Sequence, residues 1–127
     1  PRYELSIPRD TVTKLMNLSN VFIFPSVSEN CPLILLEAML ARNILILNNN
    51  VGPMREFAGE NALYFEFGGG DTHVEYQNRE KFMEDVARII VSEYNANRTL
   101  KAFHRLKKDF NYDRIFKTQI EPLFYER

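Results

Sequence analysis

A chain of 127 residues that is 45% hydrophobic, with Ile, Leu, Val and Phe spread along its length, has the make-up of one globular domain. A formal net charge of -1 gives no electrostatic reason to expect nucleic acid, whose phosphates select basic surfaces. The single cysteine, Cys31, excludes an internal disulfide, no Cys/His cluster has metal-ligand spacing, and no apolar run approaches the roughly 20 residues of a membrane span.

A soluble, cytoplasmic protein in a reducing compartment, without bound metal or cofactor, is therefore expected. The N-terminus PRYELSIPRD lacks the blocks of a signal peptide. It opens on proline with no initiator Met, which suggests a piece of a longer polypeptide.

In chain order, strands are predicted at Tyr3 to Ile7, Val21 to Phe24, Ile44 to Leu47 and Ala62 to Phe65. VFIF and ILIL are continuous apolar runs, the pattern of strands covered on both faces, which argues for a parallel sheet. Helices are predicted at Arg9 to Leu18, capped by Asp10 or Thr11, and at Pro32 to Ala41, with Pro32 in the first turn. The alternation of strand and helix gives an α/β fold with right-handed crossovers.

After Phe65 the run from Gly68 through THVEYQN reads as a polar surface loop. Helical spacing returns from about Asn78 to Tyr94, then at Leu100, Phe103 and Leu106, and finally at Ile115, Phe116, Ile120 and Leu123, disturbed by Pro122. One domain over residues 1–127 with a helical tail from residue 98 is expected.

The stretch SENCPLILLEAM places Glu37 inside a helix that is otherwise apolar all round and expected to be buried on most sides. An unpaired buried carboxylate costs several kcal/mol, roughly, so Glu37 must lie at an edge, be paired, or meet a ligand. The loop PSVSEN leads from the VFIF strand into this helix, the kind of crevice in which open α/β sheets bind ligands. A helix N-terminus favours phosphate. Glu29 precedes it, and Glu37 lies about 7 Å along the axis at roughly 1.5 Å per residue. Two carboxylates flanking an anion site fit a diphosphate with hydroxylated rings on both sides, which is a nucleotide sugar.

The run FPSVSENCPLILLEAM followed by NNNVGPMREFAGENALYF resembles the donor-binding half of the retaining, group-1 (family four) GT-B glycosyltransferases, clearly over Leu5 to Phe65 and weakly in the tail. The shared pattern is a hydrophobic strand, Pro-Ser, a Glu, seven residues and a second Glu followed by Ala-Met. The resemblance implies a Rossmann-like parallel sheet flanked by helices, the C-terminal half of a GT-B fold truncated at its N-terminal side.

It also implies a metal-independent hexosyl transfer with retention, from a nucleotide-sugar donor to a saccharide or lipid-linked acceptor in glycoconjugate biosynthesis. No Asp-x-Asp metal motif occurs, which agrees with this. By that resemblance Glu29 is catalytic and faces the donor hexose, the amides of Asn30, Cys31 and Leu33 meet the diphosphate, Glu37 accepts from the ribose, and Gly52 and Glu56 belong to a second donor-side loop. The family usually has Gly-Phe-Gly where this chain has Asn30-Cys31-Pro32, and Pro32 offers no N–H.

The family's acceptor domain and the Arg and Lys that neutralise the leaving diphosphate have no counterpart here. The chain alone is therefore expected to be inactive and, with an uncovered sheet edge, prone to self-association. The alternative reading is a non-catalytic nucleotide-binding or interaction module of the same fold.

Blander readings stand beside these. Glu37 could mark a solvent edge and Glu29 a loop carboxylate stabilised by the helix dipole. Cys31 is a packing residue rather than a nucleophile, having no partner histidine. Gly68 onward is a connector, not a phosphate cradle. Arg98, Lys101, Arg105, Lys107 and Lys108 could touch an anionic membrane peripherally, or form a solvated helix face.

Overall fold

The computed structural model describes residues 7–68, 75–76, 79–92 and 94–125. Three strands, β1 (Val21–Phe24), β2 (Ile44–Asn48) and β3 (Leu63–Phe65), form a parallel sheet in that order. Val21 lies opposite Ile44 and Phe24 opposite Leu47, while Ile46 lies opposite Leu63. Helix α2 (Leu33–Leu40) crosses from β1 to β2, and α3 (Gly52–Ala58) with a 3-10 turn at Gly59–Asn61 crosses from β2 to β3. This is the expected Rossmann-like arrangement. The strand predicted at Tyr3 to Ile7 falls outside the described residues except for Ile7, which is irregular. Among the described residues β1 is thus an edge strand, and β2 is the centre.

The core forms where alternation sends Leu45 and Leu47 of β2 to the same face as Phe22 and Phe24 of β1. There they meet Leu35, Ala38 and Met39 of α2, Met54 and Ala58 of α3, and Ala102 of α5 (Tyr94–Asp109). At about 25 cal/mol per Å² of apolar surface removed from water, this cluster is the main source of cohesion. The opposite face buries Ile46 but leaves Ile23 44% exposed. It is covered near β3 by α4 (Arg79–Val91), whose Phe82 ring meets Phe65 and Phe67 edge-on at 5.2 and 5.4 Å.

Helix α2 differs from its expectation. It buries one face only, because Leu33 and Leu40 stay 60% and 55% exposed. Helix α1 (Arg9–Leu18) has the predicted bounds, but Pro8 occupies its N-cap with no side-chain cap, and Asp10 instead pairs with Lys14 at 3.3 Å. The segment read as a loop after Phe65 holds a two-residue antiparallel pairing, β4 (Phe67–Gly68) with β5 (Glu75–Tyr76). The helix expected to reach Tyr94 stops at Val91, where the Ser92 amide bonds back to Ile89, and Tyr94 opens α5.

At the C-terminus, α6 (Tyr112–Ile115) runs through a π turn at Phe116–Ile120 into α7 (Pro122–Tyr125). Pro122 has no N–H to return to the preceding turn, and the Glu121 amide reaches back five residues to the Phe116 carbonyl at 2.8 Å.

Two backbone positions carry their own explanations. Arg42, at φ 61°, takes the left-handed position after α2 that glycine usually fills. The Asn43 amide bonds to Ala38 and that of Arg42 to Met39, closing a Schellman turn. Stacking of the Arg42 guanidinium on Phe103, 4.5 Å from the ring centre, offsets part of the steric cost. Gly59, at φ 55°, ends α3, and a Cβ there would lie 3.3 Å from the Arg105 guanidinium carbon. That guanidinium donates to the carbonyls of Phe57 and Glu56, both at 2.9 Å, satisfying the negative end of α3.

Candidate functional site

The carboxyl ends of the three strands release three segments, and one buried side chain ties them together. Asn48, the last residue of β2, is fully buried. Its amide nitrogen donates to the carbonyls of Ser26 and Phe67, at 3.1 and 3.2 Å, and its oxygen accepts from the Asn50 amide at 3.1 Å and, at 3.5 Å, from that of Phe67. The exits of β1, β2 and β3 therefore share one fully used amide. Beside it, Asn49 accepts from the Arg55 guanidinium, which lies 4.2 Å over the Tyr64 ring. The Tyr64 hydroxyl donates to the Gly59 carbonyl at 2.7 Å, and burial pushes its pKa above the usual tyrosine value against the opposing pull of Arg55.

Glu29 sits in the loop that Asn48 anchors through Ser26. It is half-buried and makes no ion pair or hydrogen bond to any described residue. Asn30 and Cys31 follow it, both exposed, so Cys31 does not pack into the core as expected from the sequence. Pro32 then adopts φ -76° and ψ 79°, an inverse γ-turn in which the Leu33 amide donates to the Cys31 carbonyl at 2.9 Å. The Leu35 amide likewise turns to the Pro32 carbonyl, also at 2.9 Å. Two amides near the start of α2 are thus engaged within the chain.

Glu37 lies one turn into α2, and of the three options its sequence context left open the structure shows a pairing. Its Oε1 accepts from the Arg9 guanidinium at the start of α1. The Arg9 side chain is 78% exposed and that of Glu37 24%.

The remaining site residues lie on the next crossover. Gly52 opens α3, exposed, with open space where a Cβ would stand. Glu56 is exposed in the same helix, its carbonyl held by Arg105. The loop after β1 carrying Glu29 and the start of α3 carrying Gly52 both emerge at the strand ends joined by Asn48.

Two concavities flank these elements. A cleft of about 690 Å³ lies between β3 and α4, with Asn49, Tyr64, Glu66, Lys81, Asp85 and Arg88 among its walls, and includes none of the site residues read from the sequence. The smaller groove, about 250 Å³, lies between α1 and α2 and is lined by Arg9, Thr13, Met16, Asn17, Glu37 and Leu40, along with Ala41. Of the two, only the smaller one is lined by a candidate residue read from the sequence, Glu37, whose Oε2 has no partner among the described residues.

Among the described residues no group of three or more His, Cys, Asp or Glu is arranged to hold a metal ion, and no helix is long and apolar enough to cross a membrane. The basic helix expected to present a cationic face turns two of its arginines inward, Arg98 to the Ala62 carbonyl and Arg105 to α3.

Sequence reasoning missed Asn48, Arg9 and Arg55. The Asn-Asn-Asn run directly after an apolar strand was a usable signal for the first. Nothing local pointed to Arg9, whose partner is 28 residues away.

The sequence profile of the glycosyl transferases group 1 family matches residues 3–90. No curated protein and no solved structure matches the chain. The matched span runs from before α1 through β1, α2, β2, α3 and β3 into α4, and so includes both glutamates and the strand exits that Asn48 joins. The chain belongs to the group 1 glycosyl transferases.

Proposed function

We propose that this chain is the donor-binding part of a glycosyltransferase that moves a hexose, with retention, from a nucleotide sugar to a saccharide or lipid-linked acceptor. The observation that carries the reading is Glu29, a half-buried carboxylate with no partner among the described residues, at the carboxyl edge of a parallel sheet within the span matched by the family. A half-buried carboxylate without a side-chain partner is free to accept hydroxyls from a ligand at the carboxyl edge of the sheet, and a donor sugar supplies them. Glu29 then faces the hexose as the catalytic carboxylate, and Glu37 accepts from the ribose.

Because the Leu33 amide is already turned to Cys31, the diphosphate is held chiefly through the exposed Asn30 and Cys31 and by the dipole of α2. Gly52, with open space around it, lets the donor approach the start of α3 closely, and Glu56 supports that second loop.

Transfer also needs an acceptor hydroxyl held against the sugar and positive charge on the departing diphosphate. The 127-residue chain by itself is therefore a binder rather than a catalyst. Titration calorimetry with uridine, guanosine and adenosine diphosphates tests the reading, and so does the same titration with the corresponding sugar nucleotides. A sugar nucleotide whose added affinity over its diphosphate disappears in Glu29→Gln supports it. Equal affinity in the wild type and Glu29→Gln for every sugar nucleotide overturns it, and sugar transfer by the unaided chain overturns the division between binding and catalysis.

A further inference from the structure

Arg9 stands at this edge outside the motif that singled out the two glutamates. Its side chain is 78% exposed, and pairs so exposed contribute little to folding. The Glu37 carboxylate it engages is mostly sequestered, has Oε1 occupied by the guanidinium, and has no described partner on Oε2. Both residues stand on the groove between α1 and α2, where Thr13 and Asn17 supply further polar wall.

We propose that Arg9 is a positioning residue for the donor nucleotide, holding Glu37 so that Oε2 is presented to the ribose hydroxyls. The inference rests on the donor-site reading above and adds a residue to it.

Two physical effects support this role. A glutamate on a helix surface samples several rotamers, and freezing it when a ligand binds opposes binding. A planar guanidinium fixed on one carboxylate oxygen performs that ordering beforehand. A bare carboxylate would also repel an approaching diphosphate, and an adjacent guanidinium cancels most of that repulsion. Arg9 itself is anchored at the first turn of α1, where its carbonyl accepts from the Thr13 hydroxyl at 3.1 Å.

The test compares ribonucleoside diphosphates with their 2′-deoxy counterparts, using UDP, GDP and ADP as probes and titration calorimetry on the wild type, Glu37→Gln, Arg9→Met and Arg9→Lys. The wild type is expected to prefer the ribonucleotide, and Glu37→Gln to abolish the preference. Arg9→Met should lose about threefold to tenfold in ribonucleotide affinity, the scale of a partly lost hydrogen bond, and most of the ribo-over-deoxy preference. Arg9→Lys should recover part of both.

Melting temperatures within a degree or so of wild type, expected of an exposed pair, separate this from a folding defect. If Glu37→Gln abolishes the preference while Arg9→Met retains it, the inference fails and the donor-site reading stands. Tighter ribonucleotide binding by Arg9→Met would mean that Arg9 blocks Glu37 rather than presenting it, which also overturns the inference. A wild type that binds ribo- and 2′-deoxynucleotides alike, or neither, overturns the placement of ribose at Glu37 and the inference with it.

Discussion

The side-chain amide of Asn48 donates to the main-chain carbonyl of Ser26, 3.1 Å away, and this bond carries the Glu29 loop on the central strand. Replacing Asn48 by Leu keeps a similar volume but removes its bonds to the Ser26 and Phe67 carbonyls and to the Asn50 amide. Losing a set of hydrogen bonds made by one fully buried side chain is expected to cost about 2 to 4 kcal/mol. Urea unfolding measures it, and a loss below about 1 kcal/mol would show that water enters and takes over the bonds.

Gly59 offers a second measurable effect. Gly59→Ala introduces a methyl 3.3 Å from the Arg105 guanidinium carbon at a φ of 55°, and should cost about 1 to 2 kcal/mol. Adding Arg105→Met removes the close contact but leaves the φ, so the alanine should remain destabilising in that background. An alanine that becomes neutral there would assign the whole effect to Arg105.

Arg42 sets a steric cost against a stacking gain. Arg42→Ala keeps the left-handed strain at φ 61° and loses the stack on Phe103, whereas Arg42→Gly loses the stack and relieves the strain. The glycine variant should therefore be more stable than the alanine variant by about 1 kcal/mol. Thermal unfolding of the pair reads this difference, and equal midpoints would contradict the left-handed assignment.

Tyr64 gives a pH signature whose sign follows from burial. Its folded pKa lies above its unfolded value of 10.0, so both states hold the proton below pH 10 and no stability depends on it there. Above that pH the unfolded chain releases the proton first, and stability falls as pH rises toward the folded pKa. Tyr64→Phe removes this slope and, through loss of the bond to Gly59, should also lower stability by about 1 kcal/mol at neutral pH. Comparing unfolding free energies of the two proteins from pH 9 to 11 isolates the contribution, and parallel curves would rule it out.

The sheet was legible because VFIF and ILIL are short apolar runs bounded by polar residues, and β2 is indeed buried on both faces. The same pattern in β1 implied more cover than the described residues provide, since Ile23 looks out from the edge of the described sheet. Helix α1 was legible to its last residue; it ends at Ser19, whose backbone turns extended while its hydroxyl donates to the Leu15 carbonyl at 2.7 Å.

For α2, periodicity had no information to give. Apolar residues surround it, and only tertiary packing decides that Leu35, Ala38 and Met39 go inside while Leu33 and Leu40 do not. The β4–β5 pairing escaped notice because two-residue strands are too short to alternate. Motif spacing singled out Glu29 and Glu37 as candidates. Their immediate surroundings, Asn48 beneath one loop and Arg9 across from Glu37, depend on contacts far apart in sequence that no window of residues contains.

The parallel register also governs how the chain folds. β1 meets β2 and β2 meets β3 only after a helix has been traversed, so no pairing in this sheet can start from a tight hairpin. Each closure spans on the order of 20 residues and loses chain entropy before any strand contact compensates. The first productive event must therefore assemble a helix with its two strands, and the buried faces of α2 and β2, Leu35 and Met39 against Leu45 and Leu47, are the natural nucleus. Truncations such as Leu47→Ala should then slow refolding, whereas changes in α6 and α7, remote from that nucleus, should act mainly on the unfolding rate.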